Sequence, residues 1–162
     1  MLGRAYENQV CSIAGALELV GERWTLLVLR DAFLGVRRFD DFQRSLGIAR
    51  NVLQSRLQGL VDEGILERRP YQDHPPRYEY RLTQKGIDLW SVTFALMRWG
   101  DRHLYPDGPP VVLEHRECGG AVDDHRICER CGQPLEARDV RARPGPGASA
   151  EGLARHPALR AT

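Results

Sequence analysis

Two short segments in the last third of the chain carry residues that bind metal: His115-Arg116-Glu117-Cys118-Gly119 and Cys128-Glu129-Arg130-Cys131-Gly132. In each, two metal-ligating side chains are separated by two residues and followed by glycine, and nine residues lie between Cys118 and Cys128. A turn of this kind aims two side chains and its backbone amides at one point, and two such turns close a tetrahedron. Four ligands with no open position fit a structural zinc rather than a catalytic one. The expected ligands are His115, Cys118, Cys128 and Cys131; His125 matches neither spacing. The competing readings are a loop whose thiols bind nothing and a redox pair at Cys128 and Cys131. The fourth cysteine, Cys11, stands apart, just ahead of a helix start, where a helix N-terminus favours the thiolate. It is either a reactive thiolate or a small buried residue near an interface.

A second constellation lies between Trp24 and Thr83. Leu53, Leu57, Leu60 and Val61 mark one face of a helix over 49–63, which leaves Asn51, Gln54, Ser55 and Gln58 on the other. Asn and Gln pair with adenine edges and Arg with guanine, so a helix with this outer face suits the major groove. Arg50 and Arg56 flank it and can reach bases or phosphates. Downstream, Asp73-His74-Pro75-Pro76 is a turn leading into the alternating strand 77–82, with Tyr78, Tyr80 and Leu82 on one side. Arg77, close to that turn, is placed to enter the minor groove or meet a phosphate. The candidate DNA contacts are therefore Arg50, Asn51, Gln54, Ser55, Arg56, Gln58 and Arg77.

The positioning elements follow from periodicity and punctuation. Ser12 caps a first helix ending at Gly21. A second runs over 22–33 with the apolar run Leu26-Leu27-Val28-Leu29, and a short third is marked by Phe39, Phe42 and Leu46 and closed by Gly47. The tight turn at Gly47-Ile48 joins the third and fourth helices as a helix-turn-helix. A strand at 65–69, a turn at 70–76 and the strand at 77–82 form a hairpin. Thr83 then caps a long helix reaching His103. That helix carries one apolar stripe of Ile87, Trp90, Phe94 and Met97 and a second of Leu89, Val92, Leu96 and Trp99. Because the stripes point in nearly opposite directions, both sides need cover. An identical subunit or the C-terminal segment must supply one of them. The expected class is mostly α with a small β-hairpin: a winged helix-turn-helix domain over 1–105, a linker at 106–110, a zinc-ribbon-like module over 111–140, and a disordered tail at 141–162 rich in Pro, Gly and Ala. Residues 1–11 read as loosely ordered.

Bulk composition narrows the function. The 162 residues carry a net charge of only +1, and 1–105 alone holds 15 basic and 13 acidic side chains. Any positive field on the molecule comes from placement, not excess. Arginine supplies every basic residue but Lys85, out of 23. The Val10–Val20 stretch is interrupted by Glu18, and no run approaches the roughly 20 apolar residues of a membrane span. A cytoplasmic location with reduced thiols is expected. Between Gly64 and Pro110 nothing pairs a nucleophile with a base, forms a phosphate loop or pairs catalytic carboxylates, so an enzyme is not expected. A winged-helix and zinc-ribbon module that binds protein instead of DNA is the alternative.

From Cys11 to Gly100 the chain resembles the HxlR family of bacterial winged-helix transcription regulators, near the MarR group. The residues that carry the resemblance include Cys11, Gly21-Glu22-Arg23-Trp24-Thr25-Leu26-Leu27, Arg38-Phe39-Asp40-Asp41-Phe42, Gly47-Ile48-Ala49-Arg50-Asn51-Val52-Leu53, Gly64-Ile65-Leu66 and Pro75-Pro76-Arg77-Tyr78-Glu79-Tyr80-Arg81-Leu82-Thr83-Gln84-Lys85-Gly86. It implies a homodimer that binds a palindromic operator in double-stranded DNA, more often as a repressor. The first and last long helices would form its interface. Some members sense oxidants with a cysteine placed as Cys11 is, and control by thiol redox or by a small ligand is expected. Ala49 and Arg50 stand where many members carry a polar cap.

Overall fold

The computed structural model describes residues 11–155 and residue 159. The expectation for 1–11 therefore falls, apart from Cys11, outside the described residues. Helix α1 spans Ser12–Val20 and α2 spans Thr25–Phe33. Cys11, not Ser12, occupies the capping position of α1, in extended backbone and without a side-chain cap. The start of α2 is three residues later than expected, because Trp24 adopts a left-handed conformation (φ 80°) that helical continuation from Glu22 does not allow. Helix α3 covers Phe39–Leu46 and α4 Arg50–Asp62, joined through Gly47 at φ 63°. That left-handed position lets α3 stop within one residue.

Strands β1 (Leu66–Gln72) and β2 (Arg77–Leu82) form an antiparallel hairpin in the register Leu66↔Leu82 to Gln72↔Arg77. β1 passes through Pro70, which had been expected to open the turn. A bulge between Pro70 and Gln72 accommodates the missing N–H there. The Asp73–Pro76 turn is closed by the Gln72 side-chain amide, which donates to the carbonyls of His74 (3.1 Å) and Pro75 (3.2 Å). The segment before α3 joins the hairpin: Tyr80 N–H donates to the Arg37 carbonyl at 2.8 Å, and Arg38 bridges to Glu79. Wing and helix-turn-helix are thereby one unit. Their core is Val28, Leu29, Phe42, Leu53, Leu57, Leu60, Ile65 and Leu66, all essentially inaccessible.

Thr83 caps the next helix as expected, accepting from Gly86 N–H at 3.2 Å while its hydroxyl donates to the Gly64 carbonyl at 2.6 Å. The helix does not run unbroken to His103. It divides into α5 (Gln84–Asp88) and α6 (Trp90–Leu104), with Leu89 N–H bonded three residues back to Gly86. The first turn is pinned to the hairpin, where Gly86 lies so close to the Ile65 carbonyl that a Cβ would collide with it. Beyond Leu89 the axis follows a different partner.

That partner is the cysteine-bearing segment. β3 (Val111–His115) pairs antiparallel with β4 (Val140–Pro144), Val111 opposite Pro144 and His115 opposite Val140. Glu114 ties the pair by accepting from Arg143 (2.8 Å) and Arg141 (3.3 Å). The module thus extends past residue 140, and the segment expected to be disordered begins as its closing strand. The Pro- and Gly-rich composition misled there, because Val140-Arg141-Ala142-Arg143 supplies backbone partners that composition does not register. Helix α7 (Ala150–Arg155) follows and lies against α3. Trp90 and Phe94 of α6 form a second core with Val122, Cys128, Leu135 and Val140. One apolar stripe of α6 is therefore covered by the C-terminal module, although Ile87 is largely excluded from it. The other stripe stays bare: Val92, Leu96 and Trp99 are 44%, 50% and 56% exposed, and Ile13 and Leu17 of α1 are exposed as well.

Candidate nucleic-acid interface and metal centre

Burial of Leu53, Leu57 and Leu60 fixes the rotation of α4. Asn51, Gln54, Ser55 and Gln58 then fall at i, i+3, i+4 and i+7 on the outer face, all exposed. Gln58 is held by its own helix, its amide donating to Asp62 at 2.7 Å. Arg50 lies over the Phe39 ring, 4.5 Å from its centroid, and 3.5 Å from Asp40. Arg56 is turned the other way: it is half-buried and pairs with Glu22 at 3.2 Å, bracing α4 against the α1–α2 turn. The structure thus gathers Arg50, Asn51, Gln54, Ser55 and Gln58, and separates Arg56 from them. Arg77 is exposed at the end of the wing turn.

Sequence reading missed part of the wing. Arg68 lies 4.1 Å from the Tyr78 ring centroid and Arg38 4.6 Å from that of Tyr71. Each ring holds a guanidinium on an exposed hairpin. Alternating Arg and Tyr is visible in the sequence, but which Arg meets which Tyr depends on register, bulge and the Arg38 bridge.

In the C-terminal module the four expected ligands converge. Their donor atoms all lie within 4.8 Å of one another. Cys118 Sγ is 3.2 Å from His115 Nδ1 and 3.4 Å from Cys128 Sγ, and Cys131 Sγ is 3.3 Å from His115 Nδ1. Both half-motifs are closed alike: Gly119 N–H bonds to the His115 carbonyl and Gly132 N–H to that of Cys128, each at 2.8 Å. Each glycine is left-handed (φ 70° and 73°), which is why glycine follows the second ligand. His115 is buried, and its Nε2 lies 4.0 Å from a Glu117 carboxylate oxygen. Burial pushes the Cys128 thiol up, but amide bonds from Cys131 and Arg130 and the sulfurs of Cys118 and Cys131 outweigh it and bring it to about 6. That shift favours the thiolate, the form that ligates. The cluster can hold a metal ion. His125 stays outside it. Two α6 side chains clamp the module: Arg98 donates to Asp124 at 2.7 Å, and Arg102 pairs with the same carboxylate.

Cys11 is exposed, and amide bonds from Ala14 and Ile13 lower its pKa from the ordinary thiol value.

A helix-turn-helix with its second helix rotated polar face outward, backed by a hairpin wing, defines a winged-helix DNA-binding regulator. Residues 19–107 match the family model described as HxlR-like helix-turn-helix, and the chain belongs to that family. It is 52% identical over 151 residues to an uncharacterised HTH-type transcriptional regulator of Mycobacterium tuberculosis, covering 93% of this chain and 94% of that one. A crystal structure of a putative transcription factor superposes with a TM-score of 0.68 at 37% identity, over 84% of this chain and 96% of the other. The redox regulator HypR in its oxidised form matches 57% of this chain and 97% of its own, at 29% identity and a TM-score of 0.54. The protein is a DNA-binding transcription regulator. Among the described residues no helix is long and apolar enough to cross a membrane.

Proposed function

We propose that two copies of this chain bind a palindromic operator as a repressor, each placing α4 in a major groove and its wing on the flank. The observation that carries this reading is the outer face of α4, where Asn51, Gln54 and Ser55 are exposed and free of the core. Ala49 provides no side-chain cap, so the first-turn amides are open to a backbone phosphate. Arg77, with Arg38 and Arg68 held on their tyrosines, supplies the flanking cations. Arg50 and Gln58 extend the contact set, and Arg56 acts by fixing the tilt of α4. The bare stripe of α6 and the apolar face of α1 form the twofold interface. The protein acts by occupying DNA in the cytoplasm, not by catalysing a reaction.

Operator binding by purified protein, followed as a function of salt, tests this. Several phosphate contacts should produce a steep loss of affinity as salt rises. Asn51→Ala combined with Gln54→Ala should cost about 1–3 kcal/mol per base read and flatten the preference for operator over random duplex. Undiminished preference in the double variant would remove α4 from the reading role.

We propose zinc as the ion in the cysteine cluster. Bonds of roughly 2.3 Å to sulfur and 2.0 Å to nitrogen require tetrahedron edges of roughly 3.5–3.8 Å. The shortest donor separations, 3.2–3.4 Å, fit with small adjustments. His115, Cys118, Cys128 and Cys131 would hold it, and it would supply folding energy to the module.

Cys11 is proposed as the oxidant-sensitive group, a reading supported by its exposure and lowered pKa and by the likeness to a redox regulator. A thiol whose pKa is lowered is nucleophilic at lower pH than a free one. Alkylation of Cys11 in the native chain should therefore reach half its limiting rate at lower pH than in the denatured chain. Cys11→Ser should abolish release from DNA by peroxide. Coincident alkylation profiles, or unchanged release, would discard the sensor.

A further inference from the structure

A cleft of about 730 Å³ lies between the winged helix and the metal module. One wall is the end of α2 with Arg37 and the Arg81–Leu82 end of the wing; the opposite wall is Arg116 with Ala137. Its size falls in the range of small-molecule sites, and its lining is strongly charged, with apolar groups from Phe33, Leu34 and Leu82 beside arginines on both walls. The charges are unevenly matched. Glu67 is paired with Arg69, Asp88 accepts from Gln84 at 2.8 Å, and the Glu136 side chain caps the short 3-10 turn after it. Arg81 pairs with Glu79 at 2.6 Å. Among the described residues the guanidiniums of Arg37 and Arg116 have no partner at all, yet both stand on anchored backbone. The Arg37 carbonyl accepts from Tyr80 of the wing, and Arg116 N–H donates to Asp139 of the module, each at 2.8 Å. Phe33 and Leu34 supply an apolar wall beside them.

We propose that this cleft binds an organic anion with an aromatic or similarly apolar body, its charge held by Arg37 and Arg116. Planar guanidiniums suit carboxylate and sulfonate groups, and the apolar wall takes the ring. The cleft's wing side is part of the DNA-reading unit and its other side is the metal module. An occupant bridging the two therefore resets the wing and changes operator affinity, a consequence that rests on the DNA-binding reading above.

The test uses the full metal-loaded chain and 1-naphthoate as probe, followed by isothermal titration calorimetry. Naphthoate should bind at one site per chain. 1-Naphthamide, which keeps the ring and lacks the charge, and sulfate, which lacks the ring, should each bind at least tenfold more weakly. Arg37→Gln and Arg116→Gln should each weaken naphthoate about tenfold. Ala137→Trp, which fills the cleft, should remove binding; because Ala137 also packs beside the second core, circular dichroism is read alongside to show that the variant stays folded. Absence of saturable heat with naphthoate overturns the site. So does equal binding of naphthamide or sulfate, or binding that survives in all three variants. Saturating naphthoate should also shift the Kd for a labelled operator at least threefold. An unchanged Kd overturns the coupling alone, and failure to bind operator without naphthoate would instead fault the DNA-binding reading.

Discussion

Stripping the metal, or replacing Cys128 by Ser, should unfold the C-terminal module and strip Trp90 and Phe94 of their cover. The reason is that one residue belongs to two structures. Cys128 is a proposed ligand and, at 1% exposure, a member of the core formed with Trp90, Phe94, Val122, Leu135 and Val140. Structural zinc in small modules contributes on the order of 10 kcal/mol of folding free energy. A core of six buried residues with short strands does not replace that. Metal content should fall from about one zinc per chain to near none, and the module should lose its hydrogen-exchange protection. Tryptophan emission should shift to the red, chiefly through Trp90, because Trp99 is already exposed and Trp24 sits in the other core. The winged-helix core, which shares no ligand with the cluster, should keep its helical signal. Purified protein with much less than one zinc per chain, or a Cys128→Ser variant with native emission and protection, would end the structural-zinc account.

Leu96→Glu should convert the proposed dimer to a monomer and weaken operator binding by about two orders of magnitude or more. Leu96 is half exposed in the single chain and lies between Val92 and Trp99 on the bare stripe. The substitution therefore leaves the monomer's own packing intact. In a twofold interface the new carboxylate appears twice and must be desolvated without a partner, a cost of several kcal/mol per site. Losing the second half-site removes the gain from linked binding, typically a factor of 10²–10⁴. Sedimentation equilibrium should show one chain per particle, and operator titration the lost affinity. A variant that remains dimeric with full affinity would move the interface elsewhere. Retained helical signal separates dissociation from misfolding.

How much the sequence disclosed varied by element. The helix-turn-helix was legible because Leu53, Leu57 and Leu60 repeat at helical spacing and glycine punctuates both ends. Thr83 was legible as a cap for an equally local reason. The long helix was misjudged: periodicity continues through Leu89, and only the contact of Gly86 with the Ile65 carbonyl and the pull of the second core reveal the break. The closing strand β4 was hidden because its partners in β3, from His115 opposite Val140 to Val111 opposite Pro144, lie far earlier in the chain, beyond any local pattern. Spacing along α4 puts Arg56 on the flank of the polar face, within reach of bases or phosphates. The Glu22 carboxylate, brought there by the α1–α2 turn, decides its direction.

The amino-acid order alone determined the winged helix-turn-helix, the polar face of α4 and the four side chains that could hold a metal ion. All of these depend on spacings of a few residues, which backbone geometry converts directly into shared faces and shared turns. Tertiary structure decided which stripe of α6 is covered and which is exposed, that Arg56 pairs with Glu22, and that a cleft opens between the wing and the cysteine-bearing module. These depend on distances between segments far apart in the chain, and such distances are set by how cores pack.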